Sequence, residues 1–202
     1  MINDNTNIIL SLDAGASTIR AVIFNNRGET LNSIVSNQGA NVAVNPEESS
    51  KRIMEVISEI LDSSKLSFDD INQYSLGIAG ISDDRARELI FKKLDERKIS
   101  NKTHLSSDVN PVFEMNCSDS SAILVSIGTG IICLARAMDN SIVKSGGLGL
   151  DADMGSGYWM GKELILSLSF SRNIDQDENE FNELLKMTLS HYNVSELNIA
   201  LD

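Results

Sequence analysis

The sequence has few cysteines, few basic residues and no long hydrophobic run. Its two cysteines, Cys117 and Cys133, are too few for a disulfide framework and lack the spacing of a zinc site. We therefore expect a protein of the reducing cytoplasm. With 17 lysines and arginines against 29 acidic residues, the formal net charge is -12. Because nucleic acids and anionic membranes would repel such a chain, we expect neither as a partner.

No stretch of the sequence is typical of a membrane anchor or a targeting signal. The longest apolar stretch, residues 123–135, is interrupted by Gly-Thr-Gly and is too short to span a bilayer. The polar first seven residues lack the basic and apolar regions of a secretory signal. The 202 residues are 42% hydrophobic and 23% charged, which is typical of a globular protein with one large domain or two small lobes.

The first half of the chain predicts an α/β lobe. Three β-prone runs with turn residues between them indicate an antiparallel meander, and apolar residues at helical spacing follow. The predicted elements are strands 8–12, 19–24 and 31–35, helix 46–61, strand 74–79, helix 85–97 and strand 103–106.

The second half begins with the same order of elements. An apolar strand, a tight glycine turn, a second apolar strand, a polar turn and a third strand recur, followed by a glycine-rich segment. The predicted elements are strands 123–127, 131–136 and 141–144, and helices 159–168 and 181–191. We expect two lobes, residues 1–118 and residues 119–202, of which the second is incomplete because it lacks the later strands and helices of the first.

Each half has a strand-to-strand turn built of small residues. The first turn contains Gly15, Ala16, Ser17 and Thr18, and the second contains Gly128, Thr129 and Gly130. Small residues let backbone N–H groups approach an anion, so the two turns could hold the phosphates of one nucleotide from opposite sides. A simple hairpin turn without a ligand remains the alternative for each.

Three acids and one amide stand beside these turns. Asp13, just before the first turn, could hold Mg²⁺ through water, or could simply belong to the hairpin. Asp108 follows a predicted strand and could accept the proton of an attacking hydroxyl, cap the next helix, or do both. Asp153 and Asn41 are either turn residues or groups that bind sugar hydroxyls.

Six segments, taken in order, resemble the N-acetylglucosamine and glucosamine kinases of the BadF/BadG/BcrA/BcrD-type ATPase family. The segments are SLDAGASTIRAVIFNNRGE, GANVAVNPEES, LGIAGISDD, LSSDVN, ILVSIGTGI and GGLGLDADMGSGYWMG. The resemblance implies an α/β fold of the ribonuclease H-like, actin-like ATPase type. It further implies a mixed five-stranded sheet in the first lobe.

The resemblance also implies a role for each candidate residue. Asp108 falls on the catalytic base, and Asp13 on the acid of the first phosphate motif, which implies ATP and Mg²⁺ as cofactors. Residues that fall on the two ATP-binding motifs are Gly15, Ala16, Ser17, Thr18, Gly128, Thr129 and Gly130. Residues that fall on the sugar-binding positions are Asn41, Asp108, Gly147 and Asp153.

Two departures from the family pattern concern the substrate site. Ala14 and Ala16 replace two glycines of the usual first motif, which adds methyl groups where phosphate should approach, and Leu148 replaces a tryptophan found in some relatives. The family also continues into an adenosine motif that these 202 residues lack. We expect a fragment of a kinase, a shortened relative that binds without turnover, or a protein that completes itself by pairing as a homodimer.

Three functions follow from these observations. The first is ATP-dependent phosphorylation of an amino sugar, N-acetylglucosamine or glucosamine, at its hydroxymethyl group. The second is a non-catalytic protein that binds a sugar or a nucleotide. The third is an activator ATPase of the acyl-CoA dehydratase type, whose cluster-ligating cysteine motif Cys117 and Cys133 do not form.

Overall fold

The computed structural model of the chain describes residues 7–117, 121–170 and 178–196. Contacts between residues divide the chain into two compact units, Met1–Asp119 and Ser120–Asp202. The boundary predicted between residues 118 and 119 lies outside the described residues. None of the helices in the described ranges combines the length and apolarity needed to cross a lipid bilayer.

The first unit is built around a mixed five-stranded sheet. Its elements are β1 (Ile8–Ala14), β2 (Ile19–Asn25), β3 (Thr30–Ser36), α1 (Pro46–Ser64), β4 (Gln73–Ile78), α2 (Asp84–Glu96), β5 (Thr103–Ser106) and α3 (Val109–Asn116). The strand order is β3-β2-β1-β4-β5, antiparallel among the first three strands and parallel from β1 to β4 and β5. This confirms the predicted meander and the five-stranded sheet.

The hydrophobic core of the first unit lies between one face of this sheet and the helices α1 and α2. Leu10, Leu12 and Ala14 alternate onto that face of β1 and are buried, whereas Asp13 points to the opposite face. A fully buried Leu contributes about 1.5–3 kcal/mol through removal of its surface from water. The alternation of β1 therefore fixes which face carries the core and which is left for polar groups.

Local sequence signals set the ends of α1. The Asn45 side chain accepts a hydrogen bond from the Glu48 N–H at 3.3 Å, and Pro46 occupies the first turn. The helix continues to Ser64, beyond the predicted end at residue 61, and stops where Lys65 adopts a left-handed conformation with φ of 56°.

The second unit contains a three-stranded antiparallel sheet and two helices. Its elements are β6 (Ala122–Ile127), β7 (Ile131–Arg136), β8 (Ile142–Gly146), α4 (Gly157–Phe170) and α5 (Glu178–Tyr192). The order β6-β7-β8 confirms the predicted repeat of the first three strands. Ile123, Val125 and Ile127 share one face of the edge strand β6 and are exposed.

Tyr74 anchors β4 in the core of the first unit. Its ring is fully buried, and its hydroxyl group donates a hydrogen bond to the Phe68 carbonyl oxygen at 3.0 Å. Burial, with a smaller contribution from the negative charges of Asp69 and Asp70, raises the pKa of Tyr74 well above its usual value. The folded protein therefore holds this phenol neutral at a pH at which an exposed tyrosine ionises.

We expect Tyr74→Phe to flatten the pH dependence of stability above about pH 10. The folded-state pKa is raised, so the contribution of Tyr74 is fully present below the unfolded-state pKa and is lost as the pH rises past it. Urea unfolding followed by circular dichroism, from pH 8 to pH 11, measures this. The control Tyr192→Phe alters an exposed tyrosine and should keep the wild-type slope; an identical slope for Tyr74→Phe would contradict the prediction.

The segment between β3 and α1 supports the first glycine turn. The Ala40 N–H donates to the Gly15 carbonyl oxygen at 2.8 Å, and the Arg52 guanidinium donates to the Gly39 carbonyl oxygen at 3.1 Å. A Cβ atom on Gly39 would overlap the carbonyl group of Ala16. Only glycine at position 39 lets this segment lie against the turn.

We expect Gly39→Ala to destabilise the first unit by roughly 3 kcal/mol, because the added methyl group meets rigid backbone. The comparison variant is Gly28→Ala, whose methyl group enters open space but sits at a φ of +78°, which costs about 1 kcal/mol. Denaturant unfolding of both variants measures the difference. Equal losses of stability would show that the contact between Gly39 and the turn is unimportant.

Candidate functional site

The first part of the candidate site is a row of residues that crosses four strands of the first sheet. Arg20 on β2 pairs with Asp13 on β1, Asp13 pairs with Gly77 on β4, and Gly77 pairs with Ser106 on β5. Because paired residues share a face of a sheet, the row lies on the face opposite the core. It lies at the carboxyl ends of the parallel strands β1, β4 and β5, where open α/β sheets bind ligands.

Asp13 is an exposed carboxylate held in an ion pair. Its Oδ2 atom lies 3.4 Å from the Arg20 guanidinium, and more than half of each side chain is accessible to water. An ion pair this exposed contributes little to stability. The Asp13 carboxylate is therefore accessible to a ligand or a hydrated ion.

Asp108 is the residue immediately before α3, but its side chain makes no capping hydrogen bond to the helix. Asp108 is thus the N-cap residue of α3, as predicted, without a capping hydrogen bond from its side chain. A Cβ atom on Gly77 would lie 3.3 Å from the Asp108 Cα atom, closer than side chains normally pack. The chain at Asp108 thus passes over the bare glycine in the row next to Asp13.

Sequence reasoning missed Gly77. A glycine within a buried strand is the available signal, because such a residue marks a close approach of another segment or a ligand. That the approaching segment contains Asp108 could not be predicted from the sequence, because Gly77 lies in β4 and Asp108 follows β5.

The first glycine turn is closed by a hydrogen bond from the Gly15 N–H to the Thr18 carbonyl oxygen at 2.9 Å. Ala16 and Ser17 at its tip are exposed. Ala14, in contrast, is completely buried in the core. The expectation that the Ala14 methyl group crowds the phosphate position is wrong, because β1 alternation turns this side chain away from the row; only the Ala16 methyl group is exposed at the turn.

Asn41 lies in the segment between β3 and α1, next to the end of β4 and the start of α1. It pairs with Ala79, whose N–H donates to the Ala14 carbonyl oxygen at 2.8 Å. Its Oδ1 atom accepts the Ala43 N–H at 3.1 Å, as in a turn, and sits so close to Gly80 that a Cβ there would overlap it. Among the described residues the Asn41 side-chain NH₂ group has no acceptor, which leaves it for a ligand.

The first unit therefore brings together four of the predicted site features. Asp13, the turn at 15–18 and Asn41 are linked through the carboxyl ends of β1 and β4, and Asp108 lies over Gly77 at the same edge. One edge of the sheet therefore carries a carboxylate that can accept a proton, a second carboxylate that can bind a cation, and an amide donor.

The second unit brings together the other predicted residues. The Gly128 N–H closes the second turn on the Gly130 carbonyl oxygen at 2.9 Å. Gly147 has a left-handed φ of 65° and donates its N–H to the Ile131 carbonyl oxygen at 2.7 Å. Asp153 is buried, and its two oxygens accept the N–H group of Ile131, directly after this turn, and that of Leu148 in the glycine-rich segment.

Asp13 fits an ion that is bound mainly through water and phosphate. Within residues 7–117, 121–170 and 178–196, no three His, Cys, Asp or Glu side chains form a group that could hold a metal. Mg²⁺ is commonly bound through only one or two carboxylates together with substrate phosphates and water. An exposed carboxylate next to a small-residue turn meets that requirement.

The fold is similar to that of several solved structures. A candidate N-acetylglucosamine kinase from Porphyromonas gingivalis has a TM-score of 0.70 at 18% identity, covering 96% of this chain and 64% of that one. Another from Chromobacterium violaceum has a TM-score of 0.69 at 16% identity, covering 92% and 64%. The ethanolamine utilization protein EutJ from Carboxydothermus hydrogenoformans has a TM-score of 0.51 at 12% identity, covering 95% and 71%.

At these identities the likeness concerns the fold, and it confirms the predicted actin-like ATPase and sugar-kinase fold class. The chain spans about 64% of the length of the two kinase-like structures. No curated protein matches the sequence.

The profile of the BadF/BadG/BcrA/BcrD ATPase family matches residues 10–174, which include every candidate site residue in both units. This match covers most of the chain. The chain belongs to the BadF/BadG/BcrA/BcrD ATPase family.

Proposed function

We propose that this protein uses ATP to phosphorylate an amino sugar, N-acetylglucosamine or glucosamine, at its hydroxymethyl oxygen. The observation that carries the proposal is the approach of Asp108 to the row that contains Asp13. Two carboxylates at one sheet edge suit phosphoryl transfer. In this reaction one group accepts the proton of the attacking hydroxyl, and another binds the cation that is associated with the phosphates. Membership of an ATPase family supports the choice of nucleotide.

Asp108 accepts the proton of the sugar hydroxyl as the oxygen attacks the terminal phosphate. The approach of its backbone to Gly77, in the row next to Asp13, places it at the sheet edge where this role is needed. Asn41 orients the sugar through its side-chain NH₂ group, while its Oδ1 atom remains bonded to the Ala43 N–H. Gly147 and Asp153 belong to the segment of the second unit that contacts the sugar.

Phosphate binding is assigned to the two glycine turns. The first turn consists of Gly15, Ala16, Ser17 and Thr18, and the second of Gly128, Thr129 and Gly130. Their small side chains let phosphate approach the backbone. ATP supplies the transferred phosphoryl group, and Mg²⁺ neutralises charge on its oxygens. Asp13 holds the hydrated cation, for which its Oδ1 atom is available while Oδ2 pairs with Arg20.

The proposal is tested by sugar-dependent ADP release from the 202-residue chain. The assay uses MgATP with N-acetylglucosamine, glucosamine or glucose, and we expect turnover with an amino sugar. Asp108→Asn should lower kcat about 10²–10⁴-fold, because the proton acceptor is lost.

The matched control is Asp62→Asn, which neutralises an exposed carboxylate on α1 and should keep wild-type turnover. Absence of sugar-dependent ADP release from the wild type would contradict the kinase proposal. Sugar binding in a calorimetric titration without turnover would instead favour a non-catalytic binding protein.

We expect Gly77→Ala to lower kcat by roughly tenfold or more while nucleotide affinity changes little. The methyl group would push the backbone at Asp108 by a few tenths of an ångström, and small misplacements of catalytic groups are costly. Gly161→Ala is the control, because its methyl group has 3.7 Å of clearance from the Tyr192 hydroxyl. Equal kcat values for Gly77→Ala and the wild type would show that Gly77 does not set the position of Asp108.

A further inference from the structure

Asp153 is a buried carboxylate whose two oxygens are both used by backbone donors. Only 4% of the residue is exposed. Its Oδ1 atom accepts the Leu148 N–H at 2.9 Å, and its Oδ2 atom accepts the Ile131 N–H at 3.3 Å. Hydrogen bonds to an ionised acceptor are stronger than neutral ones, and they satisfy a charge that would otherwise be costly to bury.

The two donors belong to different parts of the second unit. Ile131 is the first residue after the second glycine turn, and Leu148 lies in the glycine-rich segment. A Cβ atom on Gly130 would lie 3.0 Å from the Asp153 Oδ2 atom, so a glycine in the turn leaves room for the carboxylate. The carboxylate therefore joins the turn to the glycine-rich segment.

The chain after Asp153 contacts the same turn from another side. The N–H groups of Gly157 and Tyr158, at the start of α4, donate to the carbonyl oxygens of Gly128 at 2.8 Å and Thr129 at 3.3 Å. The Ser156 N–H donates to the Asp153 carbonyl oxygen at 3.1 Å. Residues 153–158 thus form hydrogen bonds with the backbone of the turn on both sides of Gly130.

We propose that Asp153 is a positioning residue that couples the second glycine turn to the glycine-rich segment, and that it acts through the backbone rather than by contact with a sugar hydroxyl. This inference rests on the proposed function in one respect, the assignment of phosphate to the turn and of sugar to the segment. Under that assignment, binding of one substrate orders the backbone that binds the other.

The first test measures amide hydrogen exchange of the whole chain by NMR. In Asp153→Asn the side chain loses its charge and presents an NH₂ group to a backbone donor. We expect exchange at Ile131 and Leu148 to rise about tenfold or more, with β6 and β7 amides away from the turn unchanged. Wild-type exchange rates at both amides would overturn the coupling.

The matched control is Asp151→Asn. Asp151 is an exposed neighbour that pairs with Lys162 and raises the pKa of that ammonium group. This variant should leave exchange at Ile131 and Leu148 unchanged.

Gly130→Ala is a second variant that keeps the test decisive if Asp153→Asn does not fold. The added methyl group would crowd the Asp153 Oδ2 atom without removing the charge. We expect faster exchange at Ile131. Unchanged exchange at that amide in folded Gly130→Ala would contradict the inference.

The second test separates positioning from direct contact by calorimetric titration with MgATP, with N-acetylglucosamine, and with each in the presence of the other. If Asp153 couples the two segments, Asp153→Asn weakens both ligands and removes the effect of one on the affinity of the other. Loss of sugar affinity alone, with unchanged MgATP affinity, would instead indicate direct contact. If the wild type binds neither ligand, the proposed function and the substrate coupling both fail, while hydrogen exchange still decides whether Asp153 joins the two segments.

Discussion

The absence of a side chain at Gly77 is the constraint on which the geometry of the first unit's site depends. Parallel pairing of β1 and β4 places Gly77 beside Asp13, on the face opposite the core. The chain that leaves β5 then passes over this glycine, bringing Asp108 to the same row. A larger residue at 77 would separate the two acids, whatever their own conformations.

The two glycine turns are both built of small residues but are supported by different means. Backbone contacts hold the first turn, because Gly39 packs against Ala16 and the Ala40 N–H bonds the Gly15 carbonyl oxygen. A buried carboxylate, that of Asp153, contributes to the support of the second. In both cases a later part of the chain orders the turn, so a turn of small residues can remain well defined without side chains of its own.

The core and the site use opposite faces of the same sheet. Apolar residues at alternate positions of β1 pack one face of the sheet against α1 and α2. The register between strands then determines which polar residues are neighbours on the other face. Asp13 and Arg20 are adjacent because of this register. A shift of β1 by one residue would bury the acid and expose the core, so stability of the fold and geometry of the site are linked.

The sequence by itself determined the element types, the order of strands in each meander, the two turns and the family. These features depend on apolar periodicity, turn residues and motifs within short segments, which are local properties of the chain. Only the tertiary structure decided that Ala14 points into the core, that the chain at Asp108 passes over Gly77, and that Asp153 bonds the Ile131 amide 22 residues away. Such facts depend on sheet register and on contacts between distant segments, and no local pattern encodes which distant backbone group a side chain will meet.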